Sequence, residues 1–166
     1  MIYIFNILSD EHDDFFLQIK INPENTFFDF HNFIQSELNF DKSQMASFFL
    51  CNKIWEKQKE LPLLDIETDK NIMQENKIAD IVKNKNDKLL YVFDLFSERM
   101  LFISLLKIDE KQNINKPICI EKKGTTPKQI IISDTDIDLY GDNLIDDDIN
   151  DEFNDMQIDN IDDYNI

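Results

Sequence analysis

Arginine is almost missing from this chain: Arg99 is the only one in 166 residues. A serine recombinase surrounds its scissile phosphate with several guanidinium groups, because arginine combines permanent charge with bidentate contacts. One arginine excludes that chemistry. Cysteine is scarce too, with Cys51 and Cys119 far apart, no CxxC pair and no neighbouring histidine to complete a zinc set. They read as reduced thiols. Only two imidazoles, His12 and His31, are available to a general base or a histidine-based metal site. No apolar run approaches the ~20 residues that span a bilayer. A soluble, cytoplasmic chain without membrane contact is therefore expected. The apolar start, Met1 to Leu8, lacks a basic leader and runs directly into Ser9-Asp10-Glu11, so it reads as a first strand and not as a signal peptide.

Glycine occurs twice, and neither copy completes a calcium loop. Asp134-Thr135-Asp136-Ile137-Asp138 imitates the first ligands of an EF-hand, but Leu139 occupies the position of the required glycine and Gly141 comes two residues late. His12 sits among Glu11, Asp13 and Asp14, which reads as a solvated hairpin loop. His31, between Phe30 and Phe33, reads as a flank of a helix face. Cys51 beside Asn52 matches no nucleophile signature and reads as a small buried residue, as does Cys119. The sequence thus predicts no catalytic residue, no metal ligand and no cofactor.

Acid is what the chain has in excess. The formal charge is -17, but residues 131–166 hold 13 Asp and Glu and no Lys or Arg, leaving 21 acids against 17 bases in the remainder. The division separates an α+β domain over 1–132 from an acidic tail over 133–166, expected to be disordered. Apolar residues punctuate that tail, among them Ile137, Leu139, Tyr140, Phe153 and Tyr164, a pattern of segments that fold onto a basic, apolar-grooved partner, beside which a solubilising tail without a partner stands as the alternative.

Within the domain, alternation predicts strands over Ile2–Leu8 and Phe15–Ile21, paired as a hairpin. Thr26 with Asp29 marks a helix start, and Phe27, Phe30, Ile34 and Leu38 give that helix one apolar face. Met45–Cys51 reads as a strand, with Trp55 closing the apolar surface near it. Glu56–Glu60 reads as solvated, and Leu61–Leu64 as an edge strand or loop because proline cannot donate to a ladder. Lys77–Lys83 holds a short helix. Lys88–Leu95 and Met100–Ile108 form the strongest hairpin, with Phe96 at its tip. A strap broken by Pro117, Gly124 and Pro127 leads to a last strand over Gln129–Ile132. Two layers follow, a mixed or antiparallel sheet with one main and one short helix, an order compatible with a β-grasp-like arrangement. Phe15, Phe27, Phe30, Phe48, Phe93 and Phe102 are assigned to the core.

Three stretches carry a family likeness: Ile2-Tyr3 with Pro23 to His31; Ile78 to Val82 followed by Asp87 to Asp94; and Pro117-Ile118-Cys119 with Gly124 and Pro127-Lys128-Gln129. Over residues 1 to about 132 the chain resembles the plasmid pRiA4b ORF-3-like family, whose members are often labelled TnpR-like transposon passenger proteins. The family's Gly-Asp, Trp and His after the hairpin Tyr-Asp are replaced here by Leu95-Phe96-Ser97-Glu98-Arg99-Met100-Leu101. The resemblance implies a fold and an association with mobile elements, without the polar cluster.

Small lysine groups occur at Lys83, Lys85 and Lys88 and at Lys122, Lys123 and Lys128, but no broad basic face supports direct nucleic-acid binding. The expected function is a nonenzymatic protein-interaction module whose acidic-hydrophobic tail captures a basic partner, with Phe96 as an exposed aromatic anchor. The alternative is a mobile-element accessory protein that acts near DNA through a DNA-binding partner.

Overall fold

Phe5 stands opposite Ile19, and Ile7 opposite Leu17, because β1 (Ile2–Ser9) and β2 (Phe16–Ile21) pair antiparallel. Opposed residues share a face, so this register gathers the alternating apolar side chains on one side. The other strands are β3 (Ser47–Cys51), β4 (Lys57–Pro62), β5 (Lys88–Asp94), β6 (Arg99–Asp109) and β7 (Ile118–Lys123), of which β5 is buried on both faces and β4 and β7 are largely exposed. The seven strands form one sheet in the order β4-β3-β5-β6-β1-β2-β7. Every pairing is antiparallel. The computed structural model describes residues 1–65 and 71–132.

Helix α1 (Phe27–Glu37) lies across the apolar face. Its start is a capping box: Thr26 Oγ1 accepts from the Asp29 amide at 3.1 Å, and Asp29 Oδ2 accepts from the Thr26 amide at 2.9 Å. Two amides of the helix start are satisfied that way, and those of Phe27 and Phe28 donate to the carbonyls of Asn76 and Met73 at 3.0 and 3.1 Å. Phe27, Phe30 and Ile34 are fully buried. Phe30 stacks between Phe5 and Phe48, with ring centres 5.1 and 5.3 Å away. The helix ends where Asn39 turns left-handed at φ 54°, a conformation that asparagine tolerates. The single turn α2 (Ile78–Ile81) belongs to the same layer, since the Tyr3 hydroxyl donates to the carbonyl of Val82 at 3.1 Å. The fold is therefore α+β with both described helices on one side. The opposite side carries a cross-strand row of Phe49, Leu90, Phe102, Leu8 and Phe16.

The structure departs from the sequence reading in several places. The edge strand offered as one reading of Leu61–Leu64 is present but begins earlier, as β4 over Lys57–Pro62, with Leu61 buried opposite Phe48 and the charged residues solvated as expected. Charge on an edge strand protects it from pairing with other chains. The supposed strap contains β7, which pairs with β2, and Gln129–Ile132 form no strand. Pro117 precedes this strand, where its missing donor costs no ladder bond. Phe102 belongs to the face opposite the helices and is only half-buried, while Phe15, Phe27, Phe30, Phe48 and Phe93 are core as expected.

The chain divides into two units, residues 1–129 and 130–166. Ile137, Leu139, Tyr140, Phe153 and Tyr164, the imitation calcium loop and the expected disorder all lie outside the described residues. Among the described residues, no helix is long and apolar enough to cross a membrane.

Candidate functional site

His31 is 2 % exposed, on the packed side of α1 and not on its flank. Its Nδ1 lies 2.8 Å from the Tyr91 hydroxyl, which also accepts from Gln35 Nε2 at 2.6 Å. The Tyr91 hydroxyl thus joins two side chains of the helix, and the tautomer of His31 sets which partner donates in their bond. Burial, helped by Lys42, lowers the His31 pKa to about 4. Burial likewise raises that of Tyr91. This trio is closed to substrate and serves to pin α1 to β5.

Cys51 does not join it. Phe48 and Tyr91 stand opposite each other on the helix-covered face, and Cys51, three residues along β3, points the other way. Its thiol is 3.6 Å from the carbonyl of Phe49, and burial pushes its pKa up. A raised thiol without a base is a poor nucleophile.

Two loop clusters at opposite ends of the sheet differ in charge. At one end, the β1–β2 loop carries Asp10, Glu11, Asp13 and Asp14, and the β5–β6 turn adds Asp94 and Glu98. Arg99 ties these loops together through both Glu11 oxygens, at 2.6 and 2.9 Å, with Asp94 at 3.7 Å. The turn is further held by the Ser97 amide, which donates to Asp94 Oδ1 at 3.0 Å, and by Glu98 at φ 52°. Phe96 projects from it, 99 % exposed. His12 lies in the same acidic loop, its carbonyl accepting from the Phe15 amide at 3.0 Å.

At the other end is a cleft of about 1020 Å³ between the β3–β4 turn and the turn that enters β5. Lys53, Lys85 and Lys88 line it with Trp55, against a single carboxylate, Asp87. Lys88 Nζ lies 4.5 Å from the Trp55 ring centre and donates to the Lys53 carbonyl at 2.7 Å. Trp55 meets Phe102 edge-on, with centres 5.1 Å apart. Its backbone is left-handed, φ 68°, held there by Asn52, whose Oδ1 accepts from the Ile54 and Glu56 amides at 3.0 and 2.9 Å. Asn86, on the facing turn, is left-handed too, at φ 73°. Its amide donates to the Leu105 carbonyl at 2.8 Å, and Asp87 accepts from the Lys83 and Asn84 amides, both at 2.9 Å.

Phe96 thus stands where the sequence placed it, at an exposed tip. The cleft was not anticipated as a unit. Lys85 and Lys88 were visible as a local group, but Lys53 and Trp55 reach them only because Cys51 pairs with Lys88 in the β3–β5 register. Lys83 and Lys85 flank the turn; Lys122 and Lys123 lie on β7, away from the cleft lining. Among the described residues, no group of three His, Cys, Asp or Glu side chains could hold a metal ion.

The model of the plasmid pRiA4b ORF-3-like protein family matches residues 2–131. A crystal structure of a protein of unknown function, MM3350 from Methanosarcina mazei Go1, has a similar fold. It aligns with a TM-score of 0.54 at 18% identity, covering 73% of this chain and 68% of that one. No curated protein matches the chain.

Proposed function

Starting from the fact that the chain belongs to the plasmid pRiA4b ORF-3-like family, we propose that it is a nonenzymatic interaction module that captures a basic protein partner. The observation that carries this reading is Phe96, an aromatic ring almost wholly in solvent on a braced turn, framed by the acids of two loops. An aromatic anchor of this kind fills an apolar pocket on a partner, and the surrounding carboxylates select for a basic rim. Residues 133–166 extend the same negative charge. Their field accelerates encounter and is screened by salt.

The buried groups support the same reading. His31 is neutral and enclosed, and Cys51, which lines the cleft, has its thiol pKa raised by burial, so neither is a ready nucleophile.

A photo-crosslinking phenylalanine analogue at position 96 of the full-length chain identifies the partner. The purified partner should then associate more slowly as salt rises, and Phe96→Ser should weaken the complex about tenfold, as for a central aromatic contact. Replacing Asp146, Asp147 and Asp148 by Asn should lower the association rate with little change in dissociation. An affinity indifferent both to Phe96→Ser and to salt would remove this surface from the mechanism.

A further inference from the structure

We propose that the cleft between the β3–β4 turn and the entry to β5 binds a small phosphorylated molecule, with Lys53, Lys85 and Lys88 as its phosphate-binding amines. This site is separate from the Phe96 surface and does not depend on the interaction reading.

The first argument is electrostatic. In a chain of formal charge -17, three ammonium groups line one cleft against one carboxylate. Asp87 is the carboxylate, and its oxygen already accepts two backbone amides, so its repulsion of an anion is reduced. No ion pair neutralises Lys53 or Lys85 among the described residues. Clustered like charges repel, and a bound polyanion is the ligand that reverses the sign of that term.

The second argument is preorganisation. Of the four non-glycine residues with left-handed backbone among the described residues, two, Trp55 and Asn86, form opposite walls of this cleft. For a bulky residue such as tryptophan that conformation costs on the order of 1–3 kcal/mol, and it persists only where the surroundings hold it, a situation concentrated at ligand sites. The side-chain amides of Asn84 and Asn86 line the same space and have no hydrogen-bond partner among the described residues, which leaves donors for phosphate oxygens. A volume of about 1020 Å³ suits a small molecule. The Lys88 ammonium lies over the Trp55 ring, so recognition runs through phosphate and not through stacking of a base.

Trp55 is the only tryptophan of the chain, so its emission reports on the cleft without labelling. The full-length protein is titrated with pyrophosphate, ADP, adenosine and, at matched ionic strength, potassium chloride. Pyrophosphate and ADP should each produce a saturable change, and adenosine and chloride none. Lys53→Gln and Lys85→Gln should each weaken binding about tenfold, the loss of one charge-assisted contact. Both lysines are exposed, and an unchanged melting temperature verifies that the variants fold. Calorimetry with pyrophosphate supplies a second readout that does not rely on fluorescence. The proposal is overturned if neither phosphate compound binds, if chloride reproduces the signal, if adenosine binds as well as ADP, or if the double lysine variant binds as tightly as the parent.

Discussion

The Tyr91 hydroxyl and His31 Nδ1, 60 positions apart in the chain, meet at 2.8 Å inside the layer between α1 and the sheet. Gln35 completes the contact from the next turn of the helix. The hydroxyl bonds both helix side chains, while Gln35 Oε1 is buried without a hydrogen-bond partner among the described residues.

Removing the hydroxyl should therefore cost more than a methyl-sized change suggests. Tyr91→Phe leaves Gln35 Nε2 and His31 Nδ1 buried without their partner, a penalty of about 1–3 kcal/mol. Chemical denaturation should show a lower midpoint with an unchanged slope. Equal stability of the two proteins would mean that water replaces the hydroxyl.

His31 also makes stability depend on pH. In the folded chain its pKa is lowered to about 4, first by burial and then by Lys42, whereas an unfolded imidazole titrates near 6.5. Between these values the unfolded state binds more protons, so stability rises with pH across that window and falls as acid is added. The full difference amounts to about 3 kcal/mol. Unfolding free energies of the parent and of His31→Phe should diverge between pH 7 and 4, the carboxylate contribution being common to both. Parallel curves would show that His31 is accessible to protons in the native state.

Legibility in the sequence followed the range of the interactions. The capping box at Thr26 and Asp29 and the tip at Phe96 were readable, since each depends on residues within a few positions. Edge strand β4 was legible only at its Leu61-Pro62 end, because Lys57, Lys59 and Glu60 show only solvent-facing chemistry and Leu61 alone reports its buried side. β7 was hidden in the same way, with Cys119 its main inward signal between Pro117 and Gly124. His31 was misplaced on a flank because its partner, Tyr91, comes from a distant strand. The cleft required register as well, for Lys53 and Lys88 meet across two strands whose pairing no local pattern specifies.

Arg99 gives a third test. Its guanidinium grips both oxygens of Glu11, donates to the carbonyls of Lys128 and, at 3.0 Å, Gln129, and lies 4.9 Å from the centre of the Phe93 ring. Lysine reproduces the charge but neither the fork nor the flat contact. Arg99→Lys should lower stability by about 1–2 kcal/mol. In a double-mutant cycle with Glu11→Gln, the two losses should be strongly non-additive. Additive losses would mean that Arg99 acts mainly through the carbonyls.

Gly124 gives a fourth. At φ +74° it occupies the left-handed region just after β7, and a Cβ there would fall 2.0 Å from the Asp14 carbonyl oxygen and 2.8 Å from the Phe15 nitrogen. These are backbone atoms of the β1–β2 loop and cannot rotate away, so Gly124→Ala must part the end of β7 from that loop. Parting them also strains the bonds from the Thr125 amide and hydroxyl to Asp14 Oδ2, at 3.1 and 3.2 Å. The backbone clash dominates, with an expected loss of about 2–4 kcal/mol, against well under that for Thr125→Ala, whose bonds are exposed. The damage should be local. Amide exchange should quicken across Ile118–Lys123 while β5 and β6, which lie beyond β1 and β2 in the sheet, keep their protection. Uniformly faster exchange would show that β7 is a cooperative part of the core and not an appended edge, and an unaltered protein would show that β7 does not need the close approach at Asp14.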